Sequence, residues 1–144
     1  MKRARGFFIL LACLALFPRA ACFGDCGLIV IANPRVPATS LSVPDLAAIY
    51  LRRVTVWSDG QPIVPVNQGT GSVIRKRFSV ILFKEPPVAL DDYWNRMHFQ
   101  GQNPPLVLGS DRDVVIFVNK VPGAIGYVRK GTPIESAKIL GRLP

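Results

Sequence analysis

The residues best suited to chemistry lie between Val64 and Phe78. There, Asn67-Gln68-Gly69-Thr70-Gly71-Ser72 joins a short β-branched run to a longer amphipathic one. Glycine has no Cβ, so backbone N–H groups beside it can come close to a ligand. A helix starting at Val73 would leave its first N–H groups without intrahelical partners, at the positive end of the helix dipole. Thr70 and Ser72 add hydroxyl donors. Together these groups suit an oxyanion. No Gly-Lys-Ser/Thr follows, so this is not the nucleotide-binding loop of that signature. The same pattern also describes a plain strand-to-helix turn capped by Thr70 or Ser72, and the local sequence leaves both readings open.

Other chemistry is sparse. His98 is the sole histidine, the cysteines are Cys13, Cys22 and Cys26, and no His/Cys cluster has metal-ligand spacing. No nucleophile–base pair stands out. We therefore expect no catalytic residue, no metal and no cofactor. Arg75-Lys76-Arg77 is the densest basic cluster, and its position in an amphipathic segment reads as a solvated helix face.

The elements that must position the loop follow from periodicity and punctuation. Leu28–Ala32 is a continuous apolar run that reads as a buried strand. Ser42 caps a helix expected over Asp45 to Leu51, with Pro44 and Asp45 in its first turn. Ile63–Val66 is a second strand, and Pro65 places it at a sheet edge or at a strand end. A strong helix is expected over Val73–Phe83, with Ile74, Phe78 and Ile81 on one face. Pro86-Pro87 ends it. Leu90, Tyr93, Trp94 and Met97 then recur at helical spacing over Val88–Phe99, a stripe read as core. Gly101–Pro105 is a loop. Ser110 caps a helix over Asp111–Lys120, with Asp111 and Asp113 at its positive end. Ala124–Val128 is a third strand, and Glu135–Leu140 a fourth, centred on Ile139-Leu140. Strands alternating with helices of about ten residues predict an α/β sandwich with a mostly parallel sheet.

The start of the chain reads as an address. Lys2, Arg3 and Arg5 precede an apolar run from Gly6 to Phe17, followed by Pro18-Arg19 and the small residues Ala20, Ala21, Cys22 and Gly24. That order matches a secretory signal, and the run falls short of the ~20 residues of a spanning helix. Residues 1–24 are thus expected to be a signal peptide, and residues 25–144 one domain in the periplasm or secreted. Arg19-Ala20-Ala21-Cys22 is a poor lipoprotein box, so a lipid anchor is the weaker alternative. The formal charge of the 144 residues is +9, but four basic residues lie in the signal. Residues 25–144 keep 14 basic and 9 acidic side chains, a modest excess of +5. A basic excess that small gives no reason to expect a nucleic-acid partner.

Three segments carry a resemblance. Leu46-Ala47-Ala48-Ile49-Tyr50-Leu51 with Trp57, the Gly69-Thr70-Gly71-Ser72 loop, and Val121-Pro122-Gly123-Ala124-Ile125-Gly126-Tyr127-Val128 are similar to segments of the phosphate-type periplasmic solute-binding proteins. Tyr93-Trp94 and Phe99 with Gly101 resemble the short, single-lobe relatives. The resemblance implies a single lobe of a type 2 periplasmic binding protein, a three-layer sandwich. It implies an oxyanion held by Thr70, Gly71 and Ser72, with Gln68 and Arg75 beside them. The family's arginine falls on Val66 and its nearby acidic position on Gln68, so its charged clamp is missing. In the full-length family phosphate lies between two lobes. Two copies of this chain facing each other could rebuild such a cleft as a homodimer.

Two functions are compatible with this reading. One is an exported solute-binding-like protein for phosphate or a similar oxyanion, serving an ABC-type transport system. The other is a non-catalytic accessory or sensory subunit of a membrane transporter or receptor that keeps the fold and has lost the ligand.

Overall fold

The computed structural model describes residues 27–144. The proposed signal segment and all three cysteines lie outside these residues. Five strands form one sheet in the order β3-β2-β4-β1-β5. They are β1 (Leu28–Ala32), β2 (Val64–Gln68), β3 (Leu106–Leu108), β4 (Ala124–Arg129) and β5 (Lys138–Leu143). β2 runs parallel to both β3 and β4, while β1 is antiparallel to β4 and β5. Four strands thus share a direction and β1 alone is reversed.

Helices cover both faces, giving three layers. On one face, α1 (Val43–Tyr50) and α2 (Val73–Phe83) bury Leu46, Ile49, Tyr50, Ile74 and Phe78 against Leu28, Val30, Ile125 and Tyr127. On the other, α4 (Asp111–Lys120) packs Val114, Val115 and Val118 against Ile29, Ile31, Val66 and Val128. β1 is apolar at every position because alternate side chains enter opposite cores.

The helix starts show the expected chemistry. Ser42 and Asp45 form a capping box, so α1 begins at Val43, two residues before the expected start. Ser72 caps α2 and Ser110 caps α4 through their hydroxyls. Pro65 is at a strand end, one of its two expected positions. β2 itself is internal, because β3 pairs with it from Val66 onward. β5 lies three residues later than expected and joins β1 with a register shift at Val30/Ile31.

The structure departs from the sequence reading in three places. β3 appears directly after the expected Gly101–Pro105 loop, over residues to which the sequence reading assigned no element. The expected Val88–Phe99 helix is a 3-10 turn (Pro87–Leu90) followed by α3 (Asp91–Phe99). The stripe Leu90, Tyr93, Trp94 and Met97 is not core: all four are half-buried and none joins either core cluster. The spacing puts them on one face, but α3 packs mainly on the turn before it, so the face is only partly covered. Tyr93 ties it to the body by donating to the Leu51 carbonyl at 2.7 Å.

The Pro-Gly-Ala-Ile-Gly-Tyr-Val segment has structural reasons for its glycines. Gly123 has φ +77, and a Cβ there would lie 2.1 Å from the Pro62 carbonyl oxygen. A Cβ on Gly126 would lie 2.6 Å from Val114 Cγ1 and 2.8 Å from Val66 Cγ2. Gly126 therefore lets α4 close down on the sheet. Trp57 Nε1 donates to the Gly123 carbonyl at 3.1 Å, which joins two of the segments that carried the resemblance.

Candidate functional site

The glycine loop lies at the carboxyl ends of β2, β3 and β4, with Gln68 opposite Leu108 in the β2–β3 register. The chain leaves β2 through α2 towards β3, then returns past β2 through α4 to β4, with α2 and α4 on opposite faces. Such a reversal opens a crevice at the carboxyl ends of the strands.

Within the loop, Ser72 N–H donates to the Gly69 carbonyl at 2.9 Å. Ser72 Oγ accepts from the Arg75 N–H at 3.4 Å and donates to Gln68 Oε1 at 3.1 Å. Ser72 is therefore committed to the cap, one of the two roles the sequence left open, and to Gln68. Thr70 and Gly71 are exposed, and their N–H groups have no partner among the described residues. The first-turn N–H groups of Val73 and Ile74 have no intrahelical acceptor either. With the Thr70 hydroxyl, these are the donors left for an anion. Cβ atoms at Gly69 and Gly71 would meet nothing within 4 Å, and neither residue needs a left-handed φ. The turn itself does not require these two glycines.

Arg75 is not on a solvated face, which corrects the reading of the basic cluster. It is 9% exposed and its Nη1 donates to the Gln68 carbonyl at 3.2 Å. No described carboxylate lies within ion-pair distance of it. Lys76 is exposed and Arg77 half-buried. The structure thus brings Gln68, Ser72 and Arg75 into one network, with Thr70 and Gly71 at its open rim.

Sequence reasoning missed three members of this network. Gln68 Nε2 donates to Asp111 Oδ1 at 2.6 Å and to the Tyr127 carbonyl at 3.2 Å. The Tyr127 hydroxyl accepts the Gln68 N–H at 3.2 Å and donates to Asn67 Oδ1 at 3.1 Å. The sequence marks Asp111 only as a favourable first-turn acid of α4, and Tyr127 only as strand. Burial pushes the Tyr127 phenol up to about 12, with Asp111 adding to the rise and Arg75 opposing it. Tyr127 stacks on Phe78 at 3.7 Å, and Phe78 meets Tyr50 edge-on at 4.7 Å. Desolvation raises the Tyr50 phenol well above its ordinary value, and its hydroxyl donates to the Val66 carbonyl at 3.1 Å.

No protein-family model matches the chain, and no curated protein matches it. Solved structures do. An ABC-type phosphate transport receptor from Vibrio cholerae matches with TM-score 0.62 and 23% identity, over 79% of this chain and 45% of that one. PstS from Borrelia burgdorferi matches with TM-score 0.62 and 22% identity, over 80% and 46%. A protein from Clostridium perfringens, assigned as a phosphate ABC transporter substrate-binding protein and solved with bound phosphate, matches with TM-score 0.61 and 21% identity, over 79% and 44%. The chain therefore has the fold of a phosphate-binding-protein lobe, and it spans less than half the length of each of these neighbours.

Proposed function

We propose that this chain is an exported, solute-binding-like module that holds phosphate or a similar oxyanion at the Thr70–Gly71–Ser72 loop and serves an ABC-type membrane transport system. One observation carries the reading. At a loop-to-helix junction on the carboxyl ends of parallel strands, the N–H groups of Thr70, Gly71, Val73 and Ile74 are unclaimed, and a buried Arg75 without an acidic partner stands behind them. A buried guanidinium with no counter-charge favours an incoming anion. Ser72 and Gln68 would shape the floor of the site, and no catalytic step is assigned to any residue. Residues 1–24 would direct export and be removed, leaving 25–144 as the working domain outside the cytoplasm. Among the described residues, no helix is long and apolar enough to cross a membrane. Facing copies of the chain could close the open rim as a homodimer.

The second reading, an accessory or sensory subunit without a ligand, is favoured by one feature. Gln68 already bonds Ser72 and Asp111, so part of the cradle is satisfied by the protein itself. Calorimetric titration with phosphate separates the two, using the protein, a Thr70→Ala/Ser72→Ala double variant and Gly71→Ala. The added methyl of Gly71→Ala meets nothing in the free chain, so its fold is expected to be intact. The binding reading expects heat with the protein, weakened both by Gly71→Ala and by the double variant, which removes the Thr70 hydroxyl and the Ser72 cap. No heat at millimolar phosphate would leave the subunit reading.

A further inference from the structure

Asn67, at the head of the glycine loop, is only 6% exposed, and its place in β2 sets the way it faces. Side chains alternate along a strand. Val66 packs in the α4 core and Gln68 reaches Asp111 of α4, so both point to the α4 face. Asn67 therefore points to the other face, the one that α2 covers. There Tyr127 of β4, stacked on Phe78 of α2, stands on one side of it. Val107 of β3, its register partner, stands on the other.

The Asn67 amide has one orientation. A backbone N–H only donates, so the Gln68 N–H gives its proton to the Tyr127 hydroxyl oxygen, at 3.2 Å. Arg75 lies beside the same oxygen and also only donates. The phenol proton is left for Asn67, 3.1 Å away, so the atom that meets it is Oδ1. Nδ2 is thereby turned from Tyr127 towards the β3 side, where Val107 is exposed. Nδ2 has no partner among the described residues. It differs from the sealed side-chain oxygens of Gln61, Gln102 and Asn119, because it keeps some accessible surface. Buried polar groups are normally paired. Two donors from buried side chains, the Asn67 amide and an Arg75 guanidinium without a carboxylate, thus stand around one hydroxyl behind the loop.

We propose that Asn67 is the inner binding residue of the oxyanion site. Its Nδ2 and the Arg75 guanidinium hold one side of a tetrahedral anion, and the N–H groups of Thr70 and Gly71 hold the other. This rests on the loop reading above and deepens it. Donors on two sides need oxygens on two sides, which a tetrahedral anion has and a small monocarboxylate lacks. An amide nitrogen and a guanidinium accept no proton, so the inward oxygens of the ligand must be bare. A ligand O–H fits only at the open rim. Tyr127 is a positioning residue, because its hydroxyl proton fixes the amide.

The test is NMR of the protein titrated with phosphate, sulfate and acetate, read at the Asn67 side-chain amide and at the backbone amides of Thr70 and Gly71. The expected result is saturable shifts at all three residues, with one midpoint, for phosphate and for sulfate, which carries no proton at neutral pH. Acetate should bind at least about tenfold more weakly. Asn67→Asp keeps an oxygen for Tyr127, and Asn67→Leu adds no charge. Both lack the donor, so each should weaken phosphate at least about tenfold. In Tyr127→Phe the Asn67 shift should shrink while those of Thr70 and Gly71 remain, and an unchanged Asn67 response would remove the positioning role. Phosphate that shifts Thr70 and Gly71 but not Asn67 overturns this inference and leaves the loop reading standing. So does phosphate binding with sulfate silent, which would require an inward acceptor. No shift at any of the three overturns both. The side-chain amide readout needs no variant, so the test holds even if a variant does not fold.

Discussion

Replacing Tyr127 by phenylalanine tests how far one hydroxyl holds the candidate site together. That hydroxyl takes the Gln68 N–H and donates to Asn67 Oδ1. Phenylalanine keeps the stack on Phe78 but leaves a buried amide and a buried amide oxygen without partners. Each such orphan costs about 1–3 kcal/mol, so Tyr127→Phe should lose about 2 kcal/mol or more at neutral pH. A second signature is independent of that loss. The folded pKa of Tyr127, about 12, lies above the ordinary value of 10.0. A raised pKa means that the fold favours the neutral phenol. Its stabilisation is therefore complete below pH 10 and is lost as pH rises through 12. At about 1.4 kcal/mol per pKa unit, the protein should lose roughly 1 kcal/mol between about pH 9 and pH 11 that Tyr127→Phe does not. Tyr50 is present in both chains, and its own alkaline loss, set mainly by desolvation, is common to them apart from the part of its rise that it owes to Tyr127. The assay is urea unfolding read by tryptophan fluorescence at about pH 7, 9 and 11, with Trp57 as the buried reporter. The role given to the hydroxyl is refuted if the variant matches the protein within about 0.5 kcal/mol at pH 7, or if both lose the same stability at high pH.

Gly126→Ala should cost about 1–3 kcal/mol, because its methyl must displace Val114 and Val66. Adding Val114→Ala opens that space, so denaturant unfolding of the double variant should show at least about 0.5 kcal/mol less loss than the two single costs combined. Bonds from the Ser42 hydroxyl and backbone N–H lower the Asp45 pKa from 3.8. The capping box therefore stabilises above that value and is lost as pH falls through the lower folded pKa. Amide exchange at the start of α1 should quicken below about pH 4, and Asp45→Asn should abolish that acid step.

What the sequence makes legible depends on how local the cause is. α2 and α4 are legible because Ser72 and Ser110 announce their starts, and the apolar spacing and breakers announce their ends. The glycine loop is legible for the same reason. β3 is not: three residues behind two prolines carry no period, and pairing with β2 alone makes them a strand. α3 misleads because spacing tells which side chains share a face and not whether anything lies across from it. Phe99, at its end, is 90% exposed. Arg75 reads as solvated because helical position cannot show a side chain folding back to the Gln68 carbonyl. Asp111 and Tyr127 reach Gln68 across 43 and 59 residues, distances over which no sequence pattern carries information.

Asp111 gives a direct way to ask whether the network around Gln68 serves an anion. Its carboxylate accepts from Gln68 Nε2 on one oxygen, and from the Arg129 N–H and the Thr132 hydroxyl, both at 3.4 Å, on the other. A negative charge is thus one side chain away from the donors at Thr70 and Gly71. It makes no ion pair with Arg75, but it offsets part of the attraction that Arg75 and the backbone N–H groups offer an oxyanion. Asp111→Asn removes that charge and keeps an oxygen for Gln68. Two unit charges about 4 Å apart interact by about 1 kcal/mol in water and more in a partly buried setting. Phosphate should therefore bind at least about fivefold tighter to Asp111→Asn. The gain should shrink as salt rises, because part of the site is open to solvent. If the loop binds nothing, or if phosphate binds elsewhere, the substitution leaves the calorimetric titration unchanged. That result would count against the oxyanion site even if the protein itself showed weak heat with phosphate.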